Sequence, residues 1–156
     1  MITSNALDGE ALRSAASVTA MVYHRPPRDG SAPLMVFLPG GGHLARIAYG
    51  YPGCERRDFL DHWLERAGCG LLAVSPPSAP PFTPPAPDLT RTVWAEAVAE
   101  LVEGALGGQS NPIVLLAWSL ASGMIGQLAP ALRARGIEIP AFVPLAASPP
   151  LPRPAG

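Results

Sequence analysis

Apolar positions along the chain come in two textures. Three short runs are apolar almost throughout: 34–38 (LMVFL), Gly70–Ser75 (GLLAVS) and Ile113–Trp118 (IVLLAW). Runs of this kind suit strands buried on both faces of a parallel sheet. Residues 17–24 (SVTAMVYH) are β-branched and aromatic and read as a strand outside that set, while 141–147 (AFVPLAA) reads as a fourth parallel strand weakened by Pro144. The second texture has helical period. Phe59, Leu60, Trp63, Leu64 and Ala67 share one helix face, with Gly68 as the stop. Val93, Trp94, Ala97, Val98, Leu101, Val102, Ala105 and Leu106 form the longest stripe, capped by Asp88 or Thr90 and closed by Gly107 and Gly108. A third helix is expected after Trp118, interrupted or bent at Pro130 and stopped at Gly136.

Strands alternating with helices predict an α/β domain with a mostly parallel sheet. The chain divides into an amino-terminal extension (1–16), one domain (17–150) and a proline-rich tail (151–156). Seven prolines occupy 76–88, which forbids helix or interior strand there. Neither side of that tract has enough strands to stand alone, so it reads as a crossover loop over the active site.

Composition narrows the chemistry. With 156 residues, 48% hydrophobic and 15% charged, the chain can bury one real core. A net charge of -1 leaves no basic footprint for nucleic acid or anionic lipid. No apolar run approaches the roughly 18 residues of a membrane span, and the first residues lack the apolar block of a secretion signal, so a cytoplasmic protein without membrane contact is expected. Cys54 and Cys69 form no CxxC or Cys/His cluster; neither a disulfide framework nor a metal is expected, and no cofactor. All eleven basic residues are Arg, which excludes a Schiff-base or phosphate-loop lysine from this chain.

Ser119 follows an apolar strand directly and opens a helical segment. Such a turn presents a hydroxyl at the sheet edge and needs small residues two before and two after, here Ala117 and Ala121. The amide of Leu120 would point into the same space as an oxyanion donor. A helix-capping serine is the plainer alternative. The run Gly40, Gly41, Gly42 ends another strand, where glycines let backbone amides approach a ligand closely. If the parallel strands run in the order 2-1-3-4, this loop and Ser119 share the crevice at the topological switch point. His43, beside the loop, either shapes that pocket or acts as a base. His24 is placed outside the parallel strands; His62, Asp58 and Asp61 are placed on a solvated helix surface. Trp94 and Trp118 read as core or pocket wall. The string GGGHLA at 40–45 also fits G-x-G-x-x-A, the dinucleotide fingerprint, but Gly50, Pro52 and Gly53 follow it and the next strand ends without an acid.

Strand, glycine loop, helix, strand, proline-rich crossover, helix, AWSLASG and a further strand resemble the α/β-hydrolase family over about residues 21–150, most specifically in LMVFLPGGGH and IVLLAWSLASG. The resemblance implies Ser119 as nucleophile and the amides of Leu120 and of Gly41 or Gly42 as oxyanion donors. It departs from the family in three ways. His43 follows the glycines rather than preceding them, alanines stand where the family has glycine around Ser119, and beyond Ser119 there is one acid, Glu138, and no histidine. The family's acid and histidine come on later strands. The fold is therefore expected to be an α/β-hydrolase sheet incomplete at its carboxyl end, within a protein acting on a small-molecule acyl substrate. A missing carboxyl-terminal segment or self-association would supply its partner. The alternatives are a non-catalytic half-domain that pairs with another chain, and a nucleotide-binding module.

Overall fold

Six strands form one sheet in the order β1-β2-β4-β3-β5-β6 in a computed structural model that describes residues 7–78 and 82–147. They are β1 (Glu10–Ala15), β2 (Val18–Arg25), β3 (Leu34–Leu38), β4 (Gly70–Ser75), β5 (Ile113–Trp118) and β6 (Ala141–Leu145). The segment read as a tail, 151–156, lies outside the described residues. β3, β4, β5 and β6 are parallel, and β1 and β2 join the β4 edge antiparallel. The parallel part thus has the expected order.

Alternation along the central strands divides the core in two. Val36, Leu38, Leu72, Val74, Ile113 and Leu115 face α3 (Arg91–Leu106) and α4 (Ile125–Arg133). Phe37, Leu71, Ala73 and Leu116 face α1 (Arg46–Tyr49), with Leu60 and Leu64 of α2 (Leu60–Arg66) packed alongside. Each fully buried aliphatic side chain contributes roughly 1.5–3 kcal/mol over its exposed state. The chain leaving β3 therefore passes over one face, and the chain leaving β5 over the other. α3 begins at Thr90, whose side chain accepts the Val93 amide, and ends on Gly107 in the left-handed conformation.

Three expectations change. Residues 10–15, read within an extension, form β1. Its link to β2 is a two-residue turn in which Ala16 (φ 44°) and Ser17 (φ 65°) are both left-handed. That geometry usually announces itself by Asn or Gly, and neither is present. Second, α2 is rotated from the face that its apolar residues suggest: Asp61 is 2% exposed and Trp63 56% exposed. Asp61 turns inward because Tyr23 (2.9 Å), Arg25 (2.8 Å) and Arg56 (3.2 Å) all bind it. Third, the helix after Ser119 begins as a 3-10 segment, Ser119–Met124, and α4 then runs through Pro130. The proline removes one backbone bond, yet the Ala134 amide still reaches the Pro130 carbonyl at 2.9 Å.

β6 closes one edge of the sheet. Ala141, Val143 and Pro144 are exposed. On the α1 side of the sheet, Met35, Val114 and Leu145 are only partly covered. Parallel sheets normally have both faces covered, so this corner is the least finished part of the fold.

Candidate functional site

The carboxyl ends of β3 and β5 lie side by side, with Leu38 opposite Ala117. Each strand ends abruptly there. β5 remains extended through Trp118 (φ -94°, ψ 134°), and Ser119 then takes a left-handed φ of 53°. For a residue with a Cβ this conformation costs roughly 1–2 kcal/mol. The turn is closed by Ser122, a buried residue whose hydroxyl donates to the Ala117 carbonyl at 2.9 Å. Ala117 is buried and Ala121, partly buried, packs against the core, so both flanking positions carry small side chains at the turn.

β3 ends on the glycine run. A Cβ at Gly40 would stand 2.9 Å from Ser119 Cβ and 3.3 Å from the Trp118 carbonyl. A Cβ at Gly41 would stand 2.9 Å from Leu120 Cδ1, whereas Gly42 needs its freedom for a φ of 75° and has open space around it. Two glycines thus permit close approach to Ser119 and Leu120, and the third permits the turn. The His43 amide donates to the Gly40 carbonyl (3.3 Å), and His43 Nδ1–H donates to the Gly41 carbonyl (2.9 Å). Because a carbonyl can only accept, Nδ1 carries the proton in this bond. The exposed imidazole also stands edge-on against Trp118, with ring centroids 4.8 Å apart.

The loop's downstream end is tied down from two strands. The Ala45 amide donates to Ser75 Oγ at 2.8 Å, and both residues are fully buried. Arg46 pairs with Glu10 of β1 at 2.6 Å, and the Tyr49 hydroxyl donates to the same carboxylate at 2.6 Å. Burial alone would raise the Glu10 pKa, but the bonds from Arg46 and Tyr49 outweigh it and hold it below the ordinary value. Tyr49 stacks on Tyr23, centroids 4.3 Å apart, and Tyr23 donates to Asp61. Burial, followed by the Asp61 bond, pushes the Tyr23 phenol up to about 12. A cavity of about 540 Å³ opens beside this network, lined by Tyr23, Arg25, Tyr49, Cys54 and Asp61, and includes neither Ser119 nor the glycine loop. Its buried carboxylate, Asp61, already accepts from Tyr23, Arg25 and Arg56, so the cluster is structural.

The structure therefore brings together Ser119, Leu120, Gly41, Gly42, His43 and Trp118. It does not bring the other titratable candidates there. His24 sits on antiparallel β2, and its Nε2 is buried without a partner among the described residues. His62 is on α2, and Glu138 precedes β6 at the end of the sheet where the parallel strands begin. Sequence reasoning missed Ser75 and Ser122 as parts of the site. The available signal was a polar residue closing an otherwise apolar strand and a serine three past the turn. Among the described residues no group of His, Cys, Asp or Glu could hold a metal ion, and no helix is long and apolar enough to cross a membrane.

A mixed sheet of this order, crossed by helices on both faces and turning sharply after its fifth strand, is the α/β-hydrolase fold. Solved structures that share it include an AqdC variant from work on ring-cleavage of the Pseudomonas quinolone signal, with a TM-score of 0.66 at 21% identity over 92% of this chain and 48% of its own. Est1E from Butyrivibrio proteoclasticus, with ferulic acid bound, gives 0.64 at 17% identity over 88% and 52%. A mutant epoxide hydrolase from Solanum tuberosum gives 0.65 at 13% identity over 93% and 41%. This chain spans about half the length of these structures, so it holds an incomplete version of their fold. No protein-family model matches the sequence, and no curated protein matches it.

Proposed function

We propose that this chain carries the nucleophile and oxyanion half of a serine hydrolase acting on ester, amide or similar acyl bonds. Ser119 Oγ attacks the acyl carbon, and the amides of Leu120 and of Gly41 or Gly42 hold the oxyanion that forms. A later segment or partner chain contributes the acid and the histidine that takes the Ser119 proton. His43 shapes the pocket against Trp118. Hydrolases among the structures of like fold support a hydrolytic reading in general.

The observation that carries this reading is Ser119 in the left-handed region with Gly40 against its Cβ. A capping serine is extended and accepts an amide through its side chain. Here Trp118 occupies the extended cap position, and the 3-10 segment has no side-chain cap. The cap reading thus leaves the strain unexplained. Without its base the hydroxyl keeps its proton, and a site lacking a triad member retains only about 10³ to 10⁴ of enhancement over water. Slow labelling of the 156-residue chain by a fluorophosphonate is expected, lost in Ser119→Ala and little changed in His43→Ala. Fast, His43-dependent labelling would make His43 the base and the chain self-sufficient. No labelling at all, even with the carboxyl-terminal half of a like hydrolase supplied, would remove the hydrolase reading.

The half-domain reading has its own support in the exposed β6 edge and the partly covered Met35, Val114 and Leu145. Association of the chain in sedimentation, removed by charged substitution at Val143, is its signature. The nucleotide reading gains little: α1 does open on the glycine loop, but it is one turn long and the Ala45 amide at its start is already bound to Ser75.

A further inference from the structure

We infer that Ser75 is a positioning residue for the oxyanion loop, an inference that rests on the hydrolase reading above. β4 is buried from end to end, and Ser75 is its one hydroxyl, 0% exposed at the end that faces the crevice. A hydroxyl at such a site is unfavourable unless it is bonded. Ser75 Oγ accepts the Ala45 amide at 2.8 Å across the gap between β4 and the start of α1. That amide lies at the helix's amino-terminal end, where Ala45 is the cap residue and offers no side-chain bond of its own. Ser75 therefore satisfies, from a distant strand, one of the amides that the first turn of the helix leaves open.

The consequence reaches Gly41 and Gly42. The loop is fixed upstream by β3 and internally by the bonds from His43 to Gly40 and Gly41. None of these bonds uses the amides of Gly41 or Gly42. Downstream, the loop is fixed at Ala45 by Ser75 and one residue later by the Arg46–Glu10 pair. The Ser75 bond is the nearer of the two and the shorter lever, since Arg46 reaches Glu10 through a flexible side chain. Removing the hydroxyl frees the loop to move relative to Ser119, and a displacement near 1 Å at a catalytic group can cost about 10² in rate.

The test uses the full chain and two readouts in Ser75→Ala and Ser75→Cys, the second preserving volume with a weaker acceptor. The first readout is amide hydrogen exchange at Ala45. The second is the rate of Ser119 labelling by a fluorophosphonate, with saturation separating reagent affinity from the bond-forming step. Faster Ala45 exchange, a bond-forming step slowed about tenfold or more in Ser75→Ala, unchanged reagent affinity and an intermediate Ser75→Cys would bear the inference out. Unchanged Ala45 protection overturns the anchor; faster exchange with an unaltered labelling step overturns its bearing on the site. Wild-type protein that never labels, even with the carboxyl-terminal half of a like hydrolase supplied, defeats the hydrolase reading and this role with it. The Ala45 exchange data then show separately whether the bond exists.

Discussion

Replacing Gly40 by alanine tests the core of the site. The added Cβ would meet Ser119 Cβ at 2.9 Å and both the carbonyl and a ring carbon of Trp118 at 3.3 Å. Carbon atoms prefer roughly 3.5–4.0 Å, so the new methyl intrudes by more than half an ångström. Two of the three atoms cannot swing away: Ser119 Cβ is a first side-chain atom in the turn that the Ser122–Ala117 bond closes, and the Trp118 carbonyl is backbone. Overpacking of this kind costs roughly 1–3 kcal/mol. Gly104 provides the control: it lies in α3 with open space where a Cβ would go. There alanine should stabilise the chain by roughly 0.5–1 kcal/mol through helix propensity alone. Urea denaturation of both variants, followed by far-UV circular dichroism, should give shifts of opposite sign, and Gly40→Ala should also slow Ser119 labelling by at least tenfold. If Gly40→Ala matched wild type in both stability and labelling, the glycine loop would not lie against Ser119, and the site as described would be wrong.

Other outcomes follow from single features. Ser119→Gly should raise stability by about 1 kcal/mol in the same denaturation assay, by relieving the left-handed strain, while abolishing labelling; Ser119→Ala should abolish labelling without that gain. Asp61→Ala leaves the partly buried Arg25 without its carboxylate and the Tyr23 hydroxyl without its acceptor, and should cost about 3 kcal/mol, with loss of Tyr23 and Tyr49 packing visible in near-UV circular dichroism. Burial, then Arg13 and Arg25, lower the His24 pKa. Glu100 and Glu103 of α3 share the cavity on its side of the sheet. The unfolded chain therefore binds a proton that the folded chain resists, so stability should fall as pH drops from about 6.5 towards the lower folded value. His24→Leu should flatten that slope, and equal wild-type urea midpoints at pH 7.5 and 5.5 would show that the imidazole is not held neutral.

What could be read from residue patterns was whatever depends on local periodicity. The runs at 34–38, Gly70–Ser75 and Ile113–Trp118 became strands with the same bounds, and the α3 stripe and its Gly107 stop survived intact. What escaped depends on partners distant in the chain. Glu10 falls in the stretch read as an extension, and only β1 places it against Arg46 and Tyr49. Asp61 looked exposed because nothing local shows that Tyr23 and Arg25 converge on it. The β1–β2 turn escaped for a chemical reason, since Ala16 and Ser17 adopt a geometry normally left to glycine or asparagine. Within the site, the glycine run and Ser119 were legible from residue type, whereas Ser75 and Ser122 show only as a polar end to an apolar strand and a serine three past the turn, without the partners they bond.

The position of β3 has a consequence for the order of assembly. This strand is made early, yet it lies between β4 and β5, both synthesised after it. Its pairing with β5 joins Leu38 to Ala117 across about half the chain, a long loop to close and a slow kind of contact to form. A nascent chain can shape the glycine loop against β4 and β1 before β5 emerges. The crevice itself appears only when β5 docks, so its geometry should form no earlier than that long loop closes and should be lost whenever β5 leaves β3.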